Sequence, residues 1–217
     1  MADIPVGVMP PKETLRASLL DWSTSDPIYR VHQARYKADE FNAYPNANAR
    51  FSTLIDFATN NVVPTLDAGL TLDVALMETV FHNVPYAAGL KTLSKRSYSG
   101  HNASSLLVSG RLVLIDLGSV ALHRLGIEPS DLTFSSASTY PATREWARRL
   151  HDENQSTQGL IWPSRQQNTS QALMLFGDRV PAGTLQTIST MSLIEADGSS
   201  CTQILELARK MDVEIVP

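Results

Sequence analysis

Three charged residues set among apolar neighbours constrain this chain more than any other feature. Arg30 stands in Ile28-Tyr29-Arg30-Val31, Arg50 in Asn48-Ala49-Arg50-Phe51-Ser52, and Glu78 in Ala75-Leu76-Met77-Glu78-Thr79-Val80-Phe81-His82. Such neighbours are drawn into a core by their apolar surface, and an ionised group carried along with them is costly unless it meets a partner. A fold that buries these segments must bring the charges together or open a polar cleft for them. Guanidinium groups grip a diphosphate through paired N–H donors. A carboxylate held nearby stabilises a developing positive charge. The combination predicts a site for a nucleotide such as NAD.

Composition narrows the setting. A chain of 217 residues with 43% hydrophobic and 18% charged residues can bury a sizeable core, as one domain or one domain with an extension. Its net charge of −4 and scattered Lys and Arg residues argue against direct nucleic-acid binding, which needs a basic surface. Cys201 is the single cysteine, so no disulfide forms within the chain, which suits a reducing cytoplasm. The start, Met1-Ala2-Asp3-Ile4-Pro5, has neither the basic residues nor the apolar run of a signal peptide, and no stretch approaches the ~20 apolar residues that span a bilayer. The expectation is a cytoplasmic protein that does not engage a membrane.

Along the chain, residues 1–26 read as a leading segment, with a short helix over 12–20. Residues 28–32 read as a strand, and the Asn-, Ala- and Pro-rich stretch 38–48 as a loop that delivers Arg50 to a cleft. A strand over 62–66 precedes a helix over 72–82, capped by Thr71 or Asp73, whose apolar stripe is Leu72, Ala75, Leu76, Thr79 and Val80. Glu78 sits at the edge of that stripe. Strands over 104–108 and 111–115 flank Ser109-Gly110 as a tight hairpin. A short helix from Asp116 to Gly126, an amphipathic helix over 139–152, strands over 159–164 and 172–176, a helix over 202–211 and a last strand over 213–216 complete the reading. Strands and helices mix without a regular βαβ alternation, so the class is α+β.

These pieces resemble the RES-domain family, named for an Arg, a Glu and a Ser. The resemblance rests on Tyr29-Arg30, Asn48-Ala49-Arg50-Phe51-Ser52, Val63-Pro64-Thr65-Leu66, the segment from Ala75 to His82, and Gly159-Leu160-Ile161-Trp162-Pro163-Ser164, all in the family's order. It implies an ADP-ribosyltransferase-like fold of mainly antiparallel sheet with surrounding helices, occupying 27–217 after an N-terminal extension over 1–26. It further implies the toxin of a bacterial toxin–antitoxin pair, which consumes NAD by cleaving its nicotinamide–ribose bond. The implied partner is an antitoxin with a helix-turn-helix DNA-binding part. Self-association stays open.

Carried over by position, Arg30 and Arg50 hold the NAD diphosphate or neighbouring ribose oxygens, with Ser52 beside them. Glu78 is the family's glutamate and stabilises the oxocarbenium-like ribose, and Ser164 is its serine, assigned to binding and orientation. The chain departs from the family at Asp67, where many members place a tyrosine ring against the nicotinamide, and at Val31, where some carry tyrosine. Asp67 can pair with the cationic nicotinamide ring but cannot stack on it. A degenerate member that binds a nucleotide or protein without turnover is the alternative. His82, His101 and His123 are too dispersed for a metal spacing, so no metal is expected. His82 is read as capping its helix and His101 as lying in a loop.

Overall fold

The structure, a computed structural model, describes residues 9–12, 14–167 and 169–217. Its framework is an eight-stranded sheet built from β1 (Ser18–Trp22), β2 (Ile28–Gln33), β5 (Thr65–Gly69), β7 (His101–Val108), β8 (Leu112–Asp116), β9 (Gly159–Pro163), β10 (Gln171–Phe176) and β11 (Leu185–Ser192). Their order is β1-β8-β9-β10-β5-β2-β7-β11, antiparallel throughout except for the parallel pair β8–β9. Two short pairs lie outside it: β3 (Leu54–Ile55) with β4 (Val62–Val63), and β6 (Lys91–Ser94) in parallel with β12 (Val213–Val216). With four α-helices among the described residues, this is the α+β class expected, mainly antiparallel.

The link 109–111 shows how the sheet is shaped. It joins β7 to β8, which stand five places apart in the strand order. In a flat sheet that separation would be about 24 Å, and the link reaches only about 13 Å. The sheet therefore curls, enclosing a cluster of Trp22, Ile28, Leu66, Leu106, Leu112, Leu114, Leu173 and Leu175 on its inner face. The outer face carries Ile115, Leu160, Trp162, Met174 and Phe176, covered by α2 (Ser119–Leu125) and α3 (Tyr140–Glu153) through Leu122, Leu125, Trp146 and Leu150. β10 lies between the two clusters and is apolar at successive positions, as a strand buried on both faces must be. A third cluster joins α1 (Leu72–Met77) to α4 (Thr202–Lys210) through Leu76, Met77, Phe81, Leu93, Ile204 and Leu207.

Several local expectations need correction. The tight hairpin at Ser109-Gly110 does not form: Gly110 does take a left-handed φ of 88°, but β7 pairs with β2 and β11 while β8 pairs with β1 and β9. A turn residue permits a reversal and does not dictate pairing when each strand has an apolar face to bury elsewhere. The described residues of 12–20 form no helix, residue 13 lying outside them: 18–20 belong to β1, whose Leu19 and Leu20 are exposed at a sheet edge and so mimic one side of a helix only in sequence. His101 opens β7 and is not in a loop. The helix at Leu72 is capped by the Thr71 side chain, which accepts from the Val74 N–H, and it ends at Met77, five residues short of expectation. The Phe81 N–H returns to the Leu76 carbonyl at 3.1 Å, seating the fully buried Phe81 ring in the third cluster and turning the chain out of helix. Glu78 is therefore the helix C-cap, and His82 lies beyond the helix without capping it.

Candidate active site

Glu78 owes its position to one close approach. Gly69 closes β5 against α1, and a side-chain carbon there would meet the Ala75 nitrogen at 2.8 Å and Val74 at the same distance. Glycine lets the helix lie directly on the sheet, so its C-cap projects over the outer face beside β5 and β10. The Ser164 hydroxyl donates to Glu78 Oε1 at 2.7 Å and accepts from the Gln167 N–H at 3.1 Å. Ser164 is fully buried at the end of β9. It holds the carboxylate from behind, an orienting role in which hydrogen bonding to a charged group is worth about 1.5–3 kcal/mol.

The half-buried Glu78 looks into a cleft of about 430 Å³, within the range of small-molecule sites. Its walls include Arg50, Phe51, Asp67, Glu78, His82, Tyr140 and Trp162, with Val31 and Asn48 at its margins. The structure thus brings together Arg50, Asp67 and Glu78, which lie in three separate segments. Phe51 and Trp162 meet edge to face at 5.0 Å. Arg50 arrives from the loop whose backbone is pinned by the Thr143 hydroxyl, which donates to the Arg50 carbonyl. Its Nη1 donates to the Thr133 carbonyl and, at 3.5 Å, to that of Ser135, and its guanidinium lies 6.0 Å from the Tyr140 ring centre. Burial lowers the Arg50 pKa, and the charge of Glu78 opposes that shift.

Arg30, Ser52 and Ser164 are not among the cleft-lining residues. Side chains alternate along β2, so Arg30 shares the inner face with Ile28 and His32 while Val31 looks into the cleft. Arg30 Nη1 donates to the carbonyls of Ala38 at 2.7 Å and Glu40 at 2.6 Å, fixing the loop that leads to Arg50. Burial lowers its pKa too, with the charge of Asp67 opposing. Ser52 is buried, sharing a hydrogen bond with Thr65 Oγ1 at 2.9 Å and donating to Met174 Sδ at 3.3 Å beneath the cleft floor.

Asp67 is the least conventional group. The surrounding protein pushes its carboxyl up to about 6, with the Arg30 charge opposing and Glu78 reinforcing the rise. The side chain is nonetheless exposed to water in the cleft, which tempers the effect. No hydrogen bond or ion pair to its carboxylate exists among the described residues.

Sequence reasoning passed over Tyr140 and misread His82. The Tyr140 hydroxyl and His82 Nε2 share a hydrogen bond at 2.8 Å, one reaching from the start of α3 and the other from the turn after α1. Burial lowers the His82 pKa, partly opposed by Glu78, and raises that of Tyr140, so both are uncharged at neutral pH. Among the described residues, His82 Nδ1 and Trp162 Nε1 are buried without a hydrogen-bond partner. His82 closes the same Ala75–His82 segment that carries Glu78, and that segment was the signal available for it. Tyr140 carried no comparable mark, since its place in the cleft depends on how α3 crosses the sheet.

A second cluster of ionisable groups lies away from the cleft. Ligand-type atoms of Asp56, His151 and Asp152 fall within 4.8 Å of one another. Each is already engaged: His151 Nδ1 meets Asp152 Oδ1 at 3.2 Å and its Nε2 meets Asp178 Oδ2 at 3.0 Å, Arg148 Nη1 meets Asp152 Oδ2 at 3.2 Å, and Asp56 accepts from Thr59.

Comparison with known proteins bears on the family and the fold. The model of the RES domain matches residues 27–195, and the chain belongs to the RES-domain family. The fold is similar to one chain of the crystal structure of the M. tuberculosis MbcT–MbcA toxin–antitoxin complex, with a TM-score of 0.55 and 16% identity over 89% of this chain and 91% of that one. A comparison with curated protein sequences gave no significant match.

Proposed function

We propose that this protein is an NAD-consuming enzyme and the toxin of a toxin–antitoxin pair. The observation that carries the reading is a carboxylate, Glu78, oriented by a buried serine and facing a cleft that also holds a guanidinium and aromatic walls. Cleavage of the nicotinamide–ribose bond leaves an oxocarbenium-like sugar. A preorganised carboxylate stabilises that charge more in the transition state than in the ground state. Glu78 takes this role and Ser164 positions it. Arg50 receives the diphosphate or a ribose oxygen, a task suited to its planar fork. Arg30 supports the same region by bracing the loop and balancing Asp67 electrostatically. Hydrolysis, phosphorolysis and transfer of the ADP-ribosyl group all begin with this bond and place the same demand on Glu78.

The proposed partner is an antitoxin that covers the cleft and carries a helix-turn-helix part, and the proposed compartment is the cytoplasm, where NAD is consumed. Among the described residues no helix is long and apolar enough to cross a membrane. Asp67 and Val31 favour a second reading, a RES-like module that binds without turnover, since neither supplies a stacking ring. Tyr140 and Trp162 place rings on the same cleft, which weighs toward the enzyme. Expression without a partner separates the two: growth arrest with a falling NAD pool is expected, whereas harmless expression with NAD unchanged would support the binding module.

A further inference from the structure

Resting on the NAD reading above, we infer that Asp67 is a specificity-determining residue that makes the cleft select dinucleotides with a cationic pyridinium ring over their reduced, uncharged forms. The first support is its lack of a partner. Asp67 is exposed into the cleft and has no hydrogen bond or ion pair to its carboxylate among the described residues, so the carboxylate is open to whatever the cleft admits. The nearest compensating cation, Arg30, has its Nη1 turned to the Ala38 and Glu40 carbonyls on the other face of β2.

The second support is the company it keeps. Asp67 from β5 and Glu78 from the end of α1 line one cleft, together with the rings of Tyr140 and Trp162. Carboxylates and aromatic faces both attract a cation, and both act more strongly where water is restricted. Arg50, the only Lys or Arg among the described lining residues, is drawn away by the Thr133 and Ser135 carbonyls and suits the phosphate end of a ligand. Reduction of the ring removes its positive charge while changing its size little, so it removes the attraction and leaves the shape. A tyrosine at this position would grip either form by stacking. An aspartate distinguishes them by charge.

The preference also depends on pH. The charged groups facing Asp67 are Arg30 from β2 and Glu78 from α1. Its carboxyl, raised to about 6, is ionised at neutral pH and takes up a proton as the solution is acidified through that value. Selection for the cationic ring therefore weakens on the acid side.

Calorimetry on the full chain tests this with three probes: the non-hydrolysable carbocyclic analogue of NAD, which keeps the cationic ring; NADH; and ADP-ribose, which has no ring. The wild type is expected to bind the analogue roughly tenfold more tightly than NADH near pH 7.5, as one added charge contact at moderate dielectric implies. Asp67→Asn should bring the two within about threefold, Asp67→Glu should retain the preference, and ADP-ribose affinity should change little in either. Near pH 5 the wild-type preference should narrow. Equal wild-type affinities for the analogue and NADH would overturn the inference while leaving the NAD reading intact. So would a folded Asn variant with undiminished preference. Failure of all three probes to bind would remove the NAD reading and this inference with it.

Discussion

The protein carries two concentrations of charge on the outer face of its sheet, and they are satisfied to different degrees. Around His151, every charge is answered: Asp152 and Asp178 hold both ring nitrogens, Arg148 reaches Glu145 and Asp152, and Arg179 lies 3.5 Å from Asp178 while donating to backbone carbonyls. Burial by itself pushes the Asp178 carboxyl upward, but His151 and Arg179 outweigh it and its pKa falls below the usual range. Around Glu78 the accounting is incomplete. Among the described residues, Asp67 has no partner for its carboxylate, only one oxygen of Glu78 is held, and His82 Nδ1 and Trp162 Nε1 are buried unpaired. Charges that complete one another hold a fold together. Charges left facing an opening in the fold are available to a ligand, and it is there that unusual ionisation marks a functional site.

The comparison makes opposite predictions for the two places. Glu78→Gln keeps the shape and the Ser164 contact while removing the charge. It should lower the rate of NAD loss by roughly 10²–10³ with little change in melting temperature. His151→Ala should do the reverse, costing about 2–3 kcal/mol of stability by opening a cavity beside Phe176 and removing the ring that bridges Asp152 and Asp178. NAD turnover per folded molecule should stay near wild type, and thermal unfolding with an activity assay reads both. A His151 variant that folds normally but loses turnover would erase the distinction.

Smaller effects sharpen it. Ser164→Ala leaves Glu78 in place without its orienting donor, so the rate should fall roughly tenfold, chiefly in kcat. A loss as large as that of Glu78→Gln would make the serine part of the chemistry and not a support. Asp67 should be worth least, and in the opposite sense. Its folded-state pKa of about 6 lies above the ordinary 3.8, so the native state binds more protons than the unfolded chain between those values. Its contribution to stability is therefore present at low pH and lost as pH rises through about 6. Discounted for its exposure to water, the effect is about 1 kcal/mol, and Asp67→Asn should raise the melting temperature slightly at neutral pH but not near pH 4. A destabilised Asn variant at neutral pH would mean that the carboxylate has a partner after all.

Much of this cleft was legible in the sequence because its chemistry comes as charged residues in apolar settings. Arg50, Glu78 and Asp67 line it, and Ser164 stands behind Glu78, because each rides on a short segment whose apolar pattern fixes its strand, helix end or loop. The expectation for Arg30 met a subtler rule: strand alternation sends its side chain to the inner face and gives the cleft Val31 instead. The strands that read clearly, β2, β9 and β10, bury apolar residues on at least one face. β11 gave no signal, for beyond Leu185 all of its residues are exposed and no periodicity arises. The pairing of β7 and β8 with distant strands, the crossing of α3 that delivers Tyr140, and the meeting of Asp56 with His151 are long-range outcomes that no local pattern carries.

The central claim is that the under-satisfied cleft performs the chemistry, and product analysis tests it most directly. Folded wild-type protein and folded Glu78→Gln would each be incubated with NAD at matched concentration, and released nicotinamide followed by mass spectrometry. The account predicts steady release by the wild type and almost none by the variant. Equal release from both, or none from the folded wild type, would contradict it.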